Sequence, residues 1–277
     1  MGEIDLAPNH KLGCVVRNPV LLSPAAIGLG DTLPRGLNLA RVGGAVVGPV
    51  SAAGRGYRGP DRLIEFGGGI LSTGSGFSRS ARRAVERYGA IWERLGCAVI
   101  VQLVDDTPAD LVMAARRVVQ CPAVAAIEWS IPASSTPAQV GEAVKALALA
   151  VETPIWVKGP LESVRQWAER AVAAGAAGGV VGKPLQGTLS DDAGDADMRA
   201  PVTGDLYGPW AFAATMRGLL AVVQADLGCA RIACGGIYTA AQARQALSVG
   251  AHAIQVDAAL WTEPGIANRL ADVLEGN

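Results

Sequence analysis

A lysine closes the otherwise apolar run Pro154-Ile-Trp-Val-Lys158. An amine delivered at the end of a buried strand can steady an anionic ligand or, unprotonated, attack a carbonyl to form a Schiff base. The plainer alternative is a surface lysine whose stem lies on apolar neighbours. Glu128 stands near the end of a second such run, Val124-Ala-Ala-Ile-Glu-Trp129, and could act on a ligand or simply pair with Lys158; Ser130 follows it closely. A third run, Arg231-Ile-Ala-Cys234, breaks into Gly235-Gly236 and then into the helix-like segment that begins at Thr239. Glycine lets the backbone turn sharply and approach a ligand, and a helix start just downstream offers free N–H groups to an anion. Residues 234–258 therefore read as a phosphate grip, with a bare tight turn as the alternative. Cys234 reads as a small buried hydrophobe rather than a nucleophile. His10 and His252 are the only histidines, and neither is placed to serve as a base. Arg55, Arg58 and Arg62 could recognise a carboxylate or phosphate, or could be solvated. Asp191, Asp192, Asp195 and Asp197 come without histidine or glutamate and read as a loop tip rather than a metal site.

These residues must be positioned by a scaffold, and the chain supplies one by regular alternation. Short apolar, β-branched runs occur at Val20–Ser23, Ala45–Val50, Val99–Leu103, Val124–Trp129, Ile155–Lys158, Gly179–Gly182, Ile232–Cys234 and Ala253–Val256. Between them lie amphipathic segments at Ser80–Leu95, Pro108–Val119, Pro137–Ala150, Leu161–Ala174, Pro209–Leu227 and Ala240–Val249. Several open on helix-start signals such as Thr107-Pro108 and Thr136-Pro137. Strand and helix in alternation imply βα units and a parallel sheet, and eight units predict a single (β/α)8 TIM barrel. Two connections exceed what a simple turn needs. Residues 52–76, with Tyr57 and Asp61 among the arginines and a Gly67–Gly69 run, predict a cover over the barrel mouth. Residues 183–208 predict a long active-face loop without regular structure. Residues 1–17 are an N-terminal extension.

The 277 residues slightly exceed the ~250 typical of such a barrel. Half of the residues are hydrophobic, 18% are charged and 35 are glycine, which suits a large buried parallel sheet. A net charge of −1 and the lack of a Lys/Arg cluster argue against nucleic acid or an anionic membrane surface as partner, leaving a small molecule. Five single cysteines without a CxxC pattern suggest neither a disulfide framework nor zinc, so a reducing cytoplasm is expected. The first residues hold no apolar leader, and no run reaches the length of a membrane span.

Taken in order, the motifs resemble those of dihydroorotate dehydrogenases. The resemblance rests on Asn18-Pro-Val-Leu-Leu-Ser-Pro24, Gly44-Ala-Val-Val47, Gly59-Pro-Asp-Arg62 with Ile70-Leu-Ser-Thr-Gly74, Ala126-Ile-Glu-Trp-Ser-Ile-Pro132 and Trp156-Val-Lys158. It continues through Gly204-Asp-Leu-Tyr-Gly-Pro209, Cys234-Gly-Gly-Ile237 and Ile254-Gln-Val-Asp-Ala-Ala259, spanning about residues 18–275. It implies a homodimeric flavoprotein that holds FMN over the C-terminal face of the barrel and oxidises a C–C single bond. Such chemistry needs a backbone cradle for the phosphate, a cation at the flavin and a base. Ser23, Gly208, Gly235, Gly236, Asp257 and Ala258 match cofactor-binding positions, and Lys158 matches the cation.

The departures fall on the chemistry. Where the family has a lysine after its second strand, this chain has Gly48-Pro49; Leu71 replaces an asparagine; and Ile131 replaces the Cys or Ser base. Isoleucine accepts no proton; Ser130, or Ser134 if a gap shifts the register, is the candidate base in its place. The Asp257 carboxylate would sit close to a dianionic phosphate unless it points elsewhere. The expectation is an FMN-dependent oxidoreductase acting on a small anionic substrate other than dihydroorotate. The alternatives are a flavin-free lyase or isomerase using Lys158 and Glu128, and a barrel without catalysis that serves as a partner subunit.

Overall fold

The computed structural model describes residues 2–56, 62–190 and 201–276. Eight parallel strands form the barrel: β1 (Val20–Leu22), β2 (Gly44–Ser51), β3 (Ala98–Leu103), β4 (Val124–Ser130), β5 (Ile155–Gly159), β6 (Gly178–Val181), β7 (Ala230–Cys234) and β8 (Ala253–Val256). Each pairs with its neighbours in sequence order, and β8 pairs with β1, so the sheet closes. The fold is a single (β/α)8 TIM barrel, and every predicted strand is present to within about two residues.

The outer helices are α1 (Ala81–Trp92), α2 (Pro108–Val118), α3 (Pro137–Ala150), α4 (Val164–Ala173), α5 (Ala211–Gln224), α6 (Ala240–Val249) and α7 (Ile266–Glu275). Their starts follow local chemistry. Thr136 accepts from the Gln139 N–H while the Gln139 side chain reaches back to the Thr136 N–H, and Pro137 gives up no donor at the first helical position. Thr107 and Thr239 cap α2 and α6, their side chains accepting from the N–H groups of Asp110 and Gln242. The sequence did not predict α7, although its Ile266, Leu270 and Ala271 are buried in the outer core. Leu161–Ser163 is a separate 3-10 turn ahead of α4 rather than part of it.

Alternation along the strands sorts side chains into two cores. Val99, Val101 and Leu103 of β3 point out to the helices, with Ile127 and Trp129 of β4 and Val157 of β5. Leu21, Val46, Ile100, Ala126, Trp156, Val180 and Ile232 point inward and fill the barrel. At the N-terminal end, strands Ile4–Asp5 and Val15–Val16 pair antiparallel and push Leu6, Ala7, Cys14 and Val16 into that inner cluster. The indole N–H of Trp156 donates to the Leu6 carbonyl at 3.1 Å, so the hairpin stops the bottom of the barrel.

The other end is covered by a second sheet that the sequence did not predict. Leu63–Phe66 pairs with Gly69–Ser72, which pairs with Pro201–Tyr207, which pairs with Leu185–Ser190, all antiparallel. The segment 183–208 is therefore not structureless: its described parts are strands, stabilised by pairing with the earlier excursion. Among the described residues, no helix is long and apolar enough to cross a membrane.

Candidate active site

Period-two alternation carries the inward face of each strand from the apolar layer to a polar one near the C-terminal end. There Ser23, Gln102, Glu128, Lys158, Cys234, Gln255 and Asp257 converge. Glu128 and Gln255 are wholly buried, and Lys158 is 4% exposed. A buried ion is tolerated only when its hydrogen-bonding capacity is met and its charge is balanced. The Lys158 ammonium donates to Gln255 Oε1 at 3.1 Å and lies 3.2 Å from Cys234 Sγ. Gln255 Nε2 donates to Glu128 Oε2 at 2.5 Å, and Gln102 Nε2 donates to Glu128 Oε1 at 2.7 Å. Ser23 Oγ donates to Asp257 Oδ1 at 2.5 Å.

One cation thus faces two carboxyl groups. Burial opposes the charged form of Lys158, but the negative charge available on Cys234, Glu128 and Asp257 outweighs it and raises the pKa above the ordinary value. Burial pushes the Cys234 thiol itself up to about 12, so at neutral pH the carboxyl groups are the partners that matter. Burial also raises Asp257, partly offset by Lys158 and by the Ser23 hydroxyl. An amine held protonated is a fixed positive charge rather than a nucleophile.

Above this layer lies a cavity of about 760 Å3. Ser23, Ser130, Lys158 and Asp257 line it from the barrel, and Leu63, Ser72, Gln186, Asp205 and Tyr207 line it from the covering sheet. Gly48 and Pro49 form part of the wall where a lysine would otherwise stand. A side recess is bounded by Gly208, Gly235, Gly236, Asp257 and Ala258. Gly235 and Gly236 have φ of +105° and +74°, a backbone conformation that a side chain would strain, and a Cβ on Gly236 would stand 2.1 Å from the Phe212 nitrogen. Among the described residues, the N–H groups of Gly235, Gly236 and Ala258 donate to no protein acceptor. The carboxyl group of Asp257 is engaged by Ser23, with Cys234 Sγ 3.9 Å away.

The structure thus gathers the predicted Lys158, Glu128, Ser23 and Asp257 into one cluster, with Ser130, Gly208, Gly235, Gly236 and Ala258 on the adjoining walls. Glu128 reaches Lys158 through Gln255 rather than by direct contact. Ser130 lines the cavity without a hydrogen-bond partner for its hydroxyl among the described residues. Ile131 is buried. Arg55 pairs with Asp106 at 2.6 Å on the cavity rim. Tyr57, Arg58 and Asp61 lie outside the described residues, as do Asp191, Asp192, Asp195 and Asp197. His252 is tied to the Arg231 backbone and lines no part of the cavity, and His10 accepts from the Leu12 N–H in the N-terminal hairpin. No cluster of metal-ligating side chains occurs among the described residues.

Sequence reasoning missed Gln102 and Gln255, although alternation in Val-Ile-Val-Gln102 and Ile-Gln255-Val-Asp257 points both inward. It also missed Lys183, Gln186 and Asp205. Lys183 donates to the Ile131 carbonyl at 2.5 Å, and burial lowers its pKa. Gln186 donates to Asp205, and burial raises the Asp205 carboxyl to about 6 against the opposing pull of Lys183. No local signal marked these residues, because their place over the mouth depends on the covering sheet.

No family model matches the chain. Among curated proteins it is similar to the catalytic subunit of dihydroorotate dehydrogenase B (NAD(+)) from Geobacter sulfurreducens, 28% identical across 95% of this chain and 90% of that protein. The subunit of the same name from Desulforudis audaxviator is also 28% identical, across 95% of this chain and 89% of that one. Two crystal structures of the Eimeria tenella dihydroorotate dehydrogenase share the fold. The ligand-free form gives a TM-score of 0.78 at 18% identity, covering 98% of this chain and 86% of that one. The complex with ferulenol gives 0.72 at 16% identity, covering 98% and 82%.

Proposed function

We propose that this chain, a distant relative of dihydroorotate dehydrogenases, is an FMN-dependent oxidoreductase that acts on a small anionic substrate other than dihydroorotate. The observation that carries the proposal is Lys158: an ammonium held charged by a buried carboxyl network, opening onto a cavity of about 760 Å3. The other parts of the site fit a flavin nucleotide. The unengaged N–H groups of Gly235, Gly236 and Ala258 suit a phosphate, and the Ser23 hydroxyl donates to the Asp257 carboxyl, which lessens the objection its charge raised.

When bound, FMN would supply the hydride acceptor. The chain's own residues then have distinct tasks. Lys158 steadies negative charge in the ring or in a substrate anion, and Gln255 and Glu128 hold it in place. Gly208, Gly235 and Gly236 let the backbone come close to the phosphate. Strands 63–72 and 201–207 narrow the mouth and limit water above the site. Replacement of the family's Cys or Ser by Ile131 and of its asparagine by Leu71 supports a substrate other than dihydroorotate. The Schiff-base alternative needs an unprotonated Lys158, which this network opposes.

The test is the visible spectrum of the purified protein, with mass spectrometry of the supernatant after heat denaturation. Two flavin bands and released FMN are expected. A colourless protein that also takes up no added FMN would remove the proposal.

A further inference from the structure

Asp205 and Lys183 face the cavity, and no step above uses either of them. Both lie in the long connection between β6 and α5. Lys183 directs its amine inward onto the Ile131 carbonyl instead of into solvent. Asp205 lies in the strand Pro201–Tyr207, in register with Ser72 on one side and Gln186 on the other, so two neighbouring strands fix its position. In the resembled turn Gly-Gly-Leu-Ser-Gly-Pro, Asp205 stands at the second glycine, so its carboxyl group is an addition of this chain. It shares the cavity with Lys158 and with Ser130 and Pro132, the two neighbours in sequence of Ile131, which replaces the base of the resembled family.

We propose that Asp205 is the proton-accepting group of this site, oriented by Gln186 and placed within the electrostatic reach of Lys183; this rests on the flavin oxidoreductase function proposed above. In the oxidation of a C–C single bond, the Asp205 carboxylate takes a proton from one carbon, breaking a C–H bond and forming O–H. The pair of electrons left behind becomes the second bond of C=C as the neighbouring carbon loses hydride to the flavin. The substrate gives up two hydrogens and two electrons, and Asp205 returns its proton to water at the mouth. A base is most effective when its proton affinity lies near the working pH. Burial raises Asp205 to about 6, the charge of Asp257 adds to that, and Lys183, Gln186 and Lys158 oppose it. Asp31, Arg79 and the Arg55–Asp106 pair complete the charged groups on the cavity wall and rim among the described residues.

The test is a pH titration of the full chain loaded with added FMN, following the absorption of the bound flavin. A spectral transition centred near pH 6 is expected. It should vanish in Asp205→Asn and move upward in Lys183→Met, which removes the cation that favours the ionised form. It should persist in Asp105→Asn, since Asp105 is also raised to about 6 by burial but lines none of the cavity. A bound flavin with a flat titration, or a transition that survives Asp205→Asn, overturns the inference while leaving the oxidoreductase function standing. Failure to take up FMN at all overturns both. Should Asp205→Asn not fold, the direction of the Lys183→Met shift decides: no upward movement rejects the role of Asp205.

Discussion

Replacing Lys158 by methionine tests whether the buried cluster is held together by charge. Methionine keeps most of the stem and removes the ammonium, leaving Gln255 Oε1 without its donor and the Glu128 and Asp257 carboxyl groups without their cation. Removing one partner from a buried ion pair costs about 3–5 kcal/mol, because the remaining charge is stranded. Taking an m-value of about 3 kcal/mol/M in urea, the unfolding midpoint should fall by roughly 1–1.7 M. The companion variant Lys158→Met/Glu128→Gln should recover much of that loss. It removes one stranded charge, and the Gln102 and Gln255 amides can each turn to match the new amide, since Gln255 is no longer fixed by lysine. The assay is equilibrium urea unfolding at neutral pH, followed by tryptophan fluorescence. A Lys158→Met midpoint within about 0.3 M of wild type, or a double variant less stable than the single one, would refute the account of the network.

Asp205→Asn should change the pH dependence of stability. The folded carboxyl titrates near 6 and the unfolded one near about 3.9, so between these values the native chain binds more protons and loses stability as pH rises. The variant lacks this penalty; its advantage in urea midpoint over wild type should grow from about pH 4 to about pH 6 and then level off, and an advantage that shrinks over that window contradicts the assignment. Gly236→Ala brings a Cβ within 2.1 Å of the Phe212 nitrogen at φ +74° and should lower stability by about 2–3 kcal/mol, with weaker retention of FMN in equilibrium dialysis. Gly67→Ala meets nothing within 4 Å and should stay within about 0.5 kcal/mol of wild type in the same measurement. Trp156→Phe loses the donor to Leu6 inside the barrel and should cost about 1–3 kcal/mol in urea unfolding, with the stranded Leu6 carbonyl as the cause.

The barrel was legible because its strands and helices are local patterns. Val-Ile-Val-Gln-Leu and Ala-Ile-Gln-Val-Asp show their period without any knowledge of what they pair with, and Thr136-Pro-Ala-Gln139 names its own helix start. The polar layer was half legible. Lys158, Glu128 and Asp257 stood out as charges in apolar runs, while Gln102 and Gln255, which join them, are neutral and drew no attention. The covering sheet was not legible. Strand Gly69–Ser72 finds its partner in Pro201–Tyr207, far along the chain, and glycines at Gly69, Gly187 and Gly204 dilute the β signal. Those glycines are needed for close approach: a Cβ on Gly204 would stand 2.2 Å from the Ser72 carbonyl oxygen. Lys183 and Asp205 were lost with the sheet that positions them.

The covering sheet bears on how such a barrel could be remodelled. Enzymes of this shape are commonly altered one loop at a time, since each loop is rooted in its own strand and helix. Here the excursion after β2 and the excursion after β6 are halves of one object, joined by the ladder between Gly69–Ser72 and Pro201–Tyr207. Transplanting either alone into another scaffold would deliver a ribbon with an unpaired edge, prone to sticking to its neighbours. The two segments would have to be exchanged together, and substitutions in one would be selected in the company of the other.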